Sequence, residues 1–222
     1  MSTALPIVAI SAACGALAAV LAMRALGPRF EKRTKGASAA AVLAKELGLI
    51  PHPEGGYFLE TYRAGAAPMA SRGQTDTTGA LISAPAREGG TRNSLTSIYY
   101  LLTPESPRQW WANNMSDHVH YFHGGGDLVY RVIEKDGSLH THTLGPACPQ
   151  LVVRGGSYKC AQLAPGAPYA LIGEAVAPGF DFRDFKFVTI AELLALAPAH
   201  ADELAGWVKP QPETQFDEYY KK

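Results

Sequence analysis

The chain has 222 residues and carries 20 Lys and Arg against 20 Asp and Glu, so its formal net charge is zero and it lacks the basic excess of a nucleic-acid-binding protein. Its three cysteines show no CxxC spacing, which argues against both a disulfide framework and a thiolate zinc site. With 22 glycines and 16 prolines, the composition favours a turn-rich β fold over a helical bundle.

The N-terminal segment is uncharged and long enough to cross a membrane. Residues 5–23 contain no charged side chain, and as a helix they would span about 28 Å, close to the ~30 Å of a hydrocarbon core. Basic residues begin at Arg24 and none precedes the segment, so the positive-inside rule places the rest of the chain on the cytoplasmic or matrix-like side. A cleaved signal and a transit peptide fit less well, because a charged n-region and an Arg-rich amphipathic pattern are missing. We predict a single-pass transmembrane anchor over residues 1–27, and an organelle membrane is one option.

Small side chains recur every four residues in this segment, at Ser11, Gly15 and Ala19. On a helix they share one face and allow another helix to approach closely, so we expect other membrane-protein subunits as partners. The composition of the remaining chain predicts a basic linker over 28–39, a folded domain over 40–208 and a polar tail over 209–222.

The folded domain carries the patterns of a mainly β structure. A short helical pattern around Leu43 and Leu47 is ended by Gly48. From residue 95, short runs of β-branched and aromatic residues recur at roughly 8–12 residue spacing, which is typical of a sandwich or barrel. The Asp136–Gly137 pair between two such runs predicts a hairpin. A helical pattern beginning at Ile190 is expected to pack outside the barrel.

Several stretches resemble one family in their order and spacing. They are PEGGYFLETYR (53–63), TSIYYLLTPES (96–106), an HxHxxH stretch (118–123), PQLVVRGGSYKCAQL (149–163) and VAPGFDFRDF (176–185). These stretches resemble the cupin superfamily, specifically a subfamily once filed as a domain of unknown function. The resemblance implies a double-stranded β-helix, the cupin jelly-roll barrel, with short flanking helices. Relatives include epimerases, isomerases and dioxygenases, and many are dimers, so a homodimer is an open option and the chemistry is less defined than the fold.

The histidine pair His118 and His120 is similar to the first half of a metal-binding cupin motif. Residues two apart on a strand face the same side, so both imidazoles point into the barrel or both point away. The resemblance implies a glutamate four or five residues later and a more distant histidine as further metal ligands. Here the glutamate position falls on glycines at 124–125 and the histidine position aligns with Lys159, a cation that repels a metal.

A divalent metal is therefore the weaker alternative, and we expect no cofactor. Its candidate ligands would be His118, His120 and His123. Because His123 has the opposite strand parity, it joins the other two only if a bulge at the glycines turns it inward.

An interior pocket is predicted from polar residues of the matched stretches: Glu54, Glu60, Tyr99, His118, His120 and Lys159. Polar groups among aromatic walls suit a small polar ligand such as a sugar or nucleotide. We predict a membrane-anchored, non-catalytic cupin that serves as an accessory subunit or a ligand-binding module of a membrane complex. Two alternatives remain open. One is an epimerase or isomerase with His118 or His120 as base and Tyr99 as acid, and the other is a metal-dependent oxygenase.

Overall fold

A computed structural model describes residues 38–64, 81–83 and 90–209, and its first element is helix α1 (Ala39–Leu47). Ser38 caps its start, since the Ser38 hydroxyl accepts the N–H of Ala41 at 3.2 Å. Gly48 ends it in the left-handed conformation with φ 68°, which favours glycine because that residue has no Cβ. The helix predicted to end at Gly48 is confirmed.

Short strands make up most of the rest of the described chain. In chain order they are β1 (Ile50–Pro51), β2 (Tyr57–Arg63), β3 (Leu81–Ser83), β4 (Thr91–Asn93), β5 (Thr96–Leu102), β6 (Arg108–Asn114), β7 (Asp117–Gly125), β8 (Leu128–Ile133), β9 (Leu139–Leu144), β10 (Gln150–Val153), β11 (Tyr158–Leu163), β12 (Ala170–Ala177) and β13 (Phe185–Phe187). Single 3-10 turns cover Phe182–Asp184 and Pro198–His200.

Two antiparallel sheets form the body of the domain. The first has the order β1-β2-β5-β12-β7-β10, the second has the order β13-β6-β11-β8-β9, and β3 pairs with β4 in a separate ribbon. Successive strands from β5 to β8, and again from β9 to β12, lie in opposite sheets. The inner faces meet in a core that includes Tyr100, Leu128 and Ile172. This mainly β arrangement agrees with the predicted jelly roll.

The β8–β9 hairpin is built as its sequence predicts. The N–H of Gly137 donates to the Glu134 carbonyl at 3.0 Å, and Gly137 has φ 85°. The Asp136 carboxylate accepts the N–H of Ser138 at 2.9 Å. The turn therefore uses a residue that tolerates positive φ and an acidic side chain that satisfies the loop backbone.

Two short helices follow the barrel, α2 (Ile190–Leu196) and α3 (Ala201–Ala205). A capping box between Thr189 and Glu192 starts α2. A second apolar cluster joins both helices to the second sheet, with Leu193 and Leu204 packed against the fully buried Trp111. The prediction that this region packs outside the barrel is confirmed.

The predicted membrane anchor at 1–27, and nearly all of the linker at 28–39 and of the tail at 209–222, lie outside the described residues. Within the described part of the chain, no helix combines the length and apolar character needed to cross a bilayer.

Candidate functional site

A buried cluster of four polar side chains joins the two sheets. His118 and His120 point inward from β7, and Glu174 lies directly opposite His120 on the neighbouring strand β12. Lys159 enters from β11 of the other sheet. All four residues are buried, and buried charges are tolerated only when they are paired and hydrogen-bonded.

The Lys159 ammonium lies among the other three side chains. Its Nζ donates to Glu174 Oε1 at 2.6 Å and lies 3.1 Å from His118 Nδ1 and 3.3 Å from His120 Nε2. His118 Nδ1 also hydrogen-bonds Glu174 Oε1. Because an ionised carboxylate can only accept, this contact assigns the ring proton of His118 to Nδ1 and leaves Nε2 as an acceptor.

The cluster is electrically balanced. Burial lowers the pKa of both His118 and His120, and the nearby Lys159 ammonium lowers each further. Burial would raise the pKa of Glu174, but Lys159 and the two imidazoles outweigh it and hold that pKa well below the usual range. At neutral pH Glu174 is thus a carboxylate and both imidazoles are neutral.

A cavity of about 50 Å³ adjoins this cluster. Its apolar walls include Phe58, Ile98 and Val176 from the first sheet, and Phe180 and Phe182 from the segment that follows β12. The polar residues that line it are His52, Glu54, Glu60, Thr96, Gln109, His118 and Glu174. The cavity therefore combines an apolar lining with a few polar groups, as ligand sites do.

Glu54 reaches this cavity from the turn between β1 and β2. It is buried, and Gln109 Nε2 donates to its Oε2 at 2.7 Å. Burial raises the pKa of Glu54 to about 7, although the charge of Lys159 opposes that rise. The next residue, Gly55, has φ 99°, and a Cβ there would lie 2.1 Å from the Arg108 carbonyl oxygen. Glycine therefore lets this turn press Glu54 against β6.

His52 forms part of the wall beside Glu54. Its Nδ1 accepts the N–H of Glu54 at 3.1 Å. Its ring makes edge contacts with Phe58 and Tyr100, at centroid distances of 4.5 and 5.3 Å. Burial lowers the pKa of His52 to about 3, so this imidazole is neutral under physiological conditions.

A sequence profile described as "Cupin superfamily (DUF985)" matches residues 41–188, which include both sheets and all four members of the buried cluster. The chain belongs to the cupin superfamily. A curated relative, the uncharacterized protein YML079W of Saccharomyces cerevisiae, is 35% identical over 173 residues, or 73% of this chain and 83% of the yeast protein.

Solved structures share this cupin fold. A hypothetical protein from Leishmania major superposes with a TM-score of 0.63 at 31% identity, covering 75% of this chain and 98% of its own. Protein SO0799 from Shewanella oneidensis superposes with a TM-score of 0.61 at 28% identity, covering 78% of this chain and 98% of its own.

The interior of this cupin does not fit a divalent metal. A carboxylate does join the histidine pair, but it is Glu174 on β12 and not a residue near positions 124–125. The place that a cation would take between His118, His120 and Glu174 is filled by the Lys159 ammonium, at 2.6–3.3 Å from them. An ammonium repels a metal ion and has no lone pair to ligate it.

Of the six predicted pocket residues, all but Tyr99 lie in the buried cluster or line the cavity beside it. His118, His120, Glu174 and Lys159 form the cluster described above, and Glu54 adjoins it across the cavity. Glu60 lies at the half-buried rim, where it is paired with Arg63 at 2.7 Å.

Tyr99 and His123 lie elsewhere, on the outer face of the first sheet, with ring centroids 5.7 Å apart. Strand alternation explains both positions. On β5, Ile98 and Tyr100 line the cavity, so Tyr99 faces the other way. On β7 the register shifts at His123, but the shift leaves this exposed side chain outside the cluster. The assignments of Tyr99 as a catalytic acid and of His123 as a third metal ligand are therefore corrected.

Three residues of the site were missed from the sequence: Glu174, Gln109 and His52. Glu174 had a usable signal, because it is the single charged residue of the apolar strand ALIGEAVA and shares its parity with the buried Ile172 and Val176. A charge on the inner face of a strand requires a partner in the interior. Gln109 and His52 carried no comparable signal, because Gln109 meets Glu54 across a separation of 55 residues and His52 lies between prolines in a loop pattern.

Proposed function

We propose that this cupin binds a small, uncharged molecule in its interior cavity, and that the molecule has an apolar body and hydrogen-bond donors. The proposal rests mainly on two buried acceptor atoms that lack a partner in the described part of the chain, His118 Nε2 and Gln109 Oε1. Both residues line the cavity. A buried polar atom without a partner costs about 1–3 kcal/mol, so a donor that reaches it is held strongly.

The protonation of the neighbouring groups makes both atoms acceptors. His118 Nδ1 carries the ring proton toward Glu174, so Nε2 offers a lone pair. Gln109 Nε2 is engaged with Glu54, so the opposite end of that amide is its carbonyl oxygen. An anion would meet two lone pairs and the Glu174 carboxylate, whereas hydroxyl or N–H groups satisfy the acceptors. This polarity supports a neutral donor-bearing ligand.

The walls favour a ligand with an apolar part. The same cavity is lined by Phe58, Ile98, Val176, Phe180 and Phe182. A space of about 50 Å³ admits about 3–5 water-sized groups without rearrangement, so the ligand is small or leaves part of its body at the rim.

Three probes of similar size and different donor number test this proposal on the full chain: catechol, phenol and anisole. We expect affinity to fall in that order, by about tenfold for each donor lost, when binding is followed by ligand-observed NMR. Val176→Phe fills the cavity and should abolish binding, whereas Val152→Phe enlarges an exposed side chain on β10 and should not. Equal affinity for all three probes, or binding that survives Val176→Phe, would refute the proposal.

A second candidate function is metal-independent acid–base catalysis, such as an isomerase or epimerase reaction. It is favoured by Glu54 and His118, which line one cavity, and by burial that raises the pKa of Glu54 to about 7, near the optimum for proton transfer at neutral pH. Dihydroxyacetone in D₂O provides a test, because enolisation exchanges its carbon-bound hydrogens. Exchange catalysed by the wild-type chain and lost in Glu54→Gln supports this function, and equal exchange in both contradicts it.

We infer further that residues 1–27 anchor the domain in a membrane beside other subunits. The support is the uncharged stretch 5–23 and the basic residues that begin at Arg24. Alkaline carbonate extraction of cell membranes tests the anchor, with Leu17→Lys and Val20→Lys together as the disrupting variant. Release of the wild-type chain by carbonate would contradict it, and migration at monomer mass in mild detergent would contradict the accessory-subunit role.

A further inference from the structure

We propose that the Lys159 ammonium takes the place of a metal cation. His118, His120 and Glu174 form a set of three candidate ligands, called the cage below, and the Lys159 side chain prevents a metal ion from binding there. The proposal concerns the buried cluster of His118, His120, Lys159 and Glu174, and it holds whichever molecule fills the adjoining cavity.

The geometry of the cage supports this role. One candidate ligand atom from each of His118, His120 and Glu174 lies within 4.8 Å of the other two. Atoms about 2.0–2.2 Å from one tetrahedral zinc lie about 3.3–3.6 Å apart, so a small contraction would converge the three on one ion. The distances from Lys159 Nζ to Glu174 Oε1 at 2.6 Å and to His120 Nε2 at 3.3 Å are instead those of hydrogen bonds. The cage is therefore sized for N–H donors.

Electrostatics supports the same role. Glu174 is a buried carboxylate that needs a cation, and Lys159 supplies one that remains tethered to the chain. Lys159 pairs in register with Ala112 on β6, whose small side chain leaves room for the lysine stem. A single positive charge and a divalent ion about 3 Å apart repel enough to weaken binding about 100-fold even with the dielectric constant of water. Inside the barrel the penalty is larger.

Removal of the lysine should therefore open a metal site. The test uses the full chain without a histidine tag and Co²⁺ as the probe, followed by its visible absorption and by equilibrium dialysis. Every protein carries His140→Ala and His142→Ala, because this exposed pair on β9 has ring centroids 6.2 Å apart and offers a competing chelate. Lys159→Ala is the opening variant. Lys186→Ala is its matched control, because Lys186 is partly exposed and pairs with Glu192, which is not a member of the cluster.

We expect Lys159→Ala to bind one Co²⁺ per chain at least about 100-fold more tightly than the parent, with a tetrahedral absorption spectrum. Lys186→Ala should bind no better than the parent, and addition of Glu174→Gln to Lys159→Ala should abolish the gain. Stoichiometric tight binding by the parent would overturn the proposal, as would a folded Lys159→Ala chain without any gain.

If Lys159→Ala does not fold, a second variant at the same position tests whether removal of the lysine charge permits metal binding. Lys159→Val keeps a residue type that suits a strand, removes the charge and does not reach the position of Nζ, and Co²⁺ should raise the melting temperature of that variant but not of the parent. An unchanged melting temperature would also overturn the proposal. The probe series that tests ligand binding in the cavity contains no metal, so the two proposals fail independently.

Discussion

Replacement of Glu54 by Gln should stabilise this cupin above neutral pH and have little effect in acid. Burial raises the pKa of Glu54 from its ordinary 4.5 to about 7. The stabilisation that the bound proton provides is fully present below pH 4.5 and is lost as the pH rises through about 7. A shift from 4.5 to about 7 corresponds to about 3 kcal/mol of unfolding free energy at most. The substituted glutamine would stay neutral throughout, and its carbonyl oxygen can still accept the hydrogen bond from Gln109.

The assay is thermal unfolding of both chains from pH 4 to pH 8, followed by tryptophan fluorescence. The melting temperatures should agree near pH 4, and the variant should exceed the wild type by about 6–12 °C at pH 8. The histidines of the site are present in both chains, so their own pH dependence cancels in the difference. Glu105→Gln, at an exposed position, should show no difference at any pH. A pH-independent difference for Glu54→Gln, or a wild type that gains on the variant as pH rises, would refute this reasoning.

Three further predictions concern stability and use the same unfolding measurement at pH 7. Arg92 is fully buried and forms a bidentate ion pair with Asp184. Its Nε donates to Asp184 Oδ2 at 2.7 Å and its Nη2 donates to Asp184 Oδ1 at 3.0 Å. Arg92→Ala should therefore cost about 3–5 kcal/mol by leaving a buried carboxylate, and Asp184→Ala added to it should recover part of this loss. Gly55→Ala should lower the free energy of unfolding far more than Gly48→Ala. A Cβ at position 55 would lie 2.1 Å from a backbone carbonyl oxygen, whereas a Cβ at position 48 would meet no atom within 4 Å. The second substitution should cost about 1 kcal/mol of backbone strain. Thr189→Ala should cost about 1 kcal/mol through the lost cap, and no loss would contradict the capping role.

The strand pattern predicted much of the fold because strand, turn and cap signals are local. Gly48 ends a helix and Gly137 makes a hairpin turn for reasons contained in a few neighbouring residues. The parity of His118 and His120 likewise follows from strand geometry alone, and the structure buries both. The family resemblance alone also places Lys159 at a metal-ligand position of the motif, and the structure buries it there.

What the sequence alone determined is therefore the set of strands and turns, the family likeness and which residues of a strand share a face. Which of the two faces is interior was decided only by the tertiary structure. At Tyr99 and Tyr100 both side chains suit a barrel wall, and packing of the two sheets turned Tyr100 inward and Tyr99 outward. Glu174 faces His120 through a strand pairing 54 positions apart in the chain, and such non-local register depends on the assembled sheet. The position of the Lys159 ammonium among three candidate metal ligands has the same origin, because Lys159 lies on the second sheet and the three ligands lie on the first.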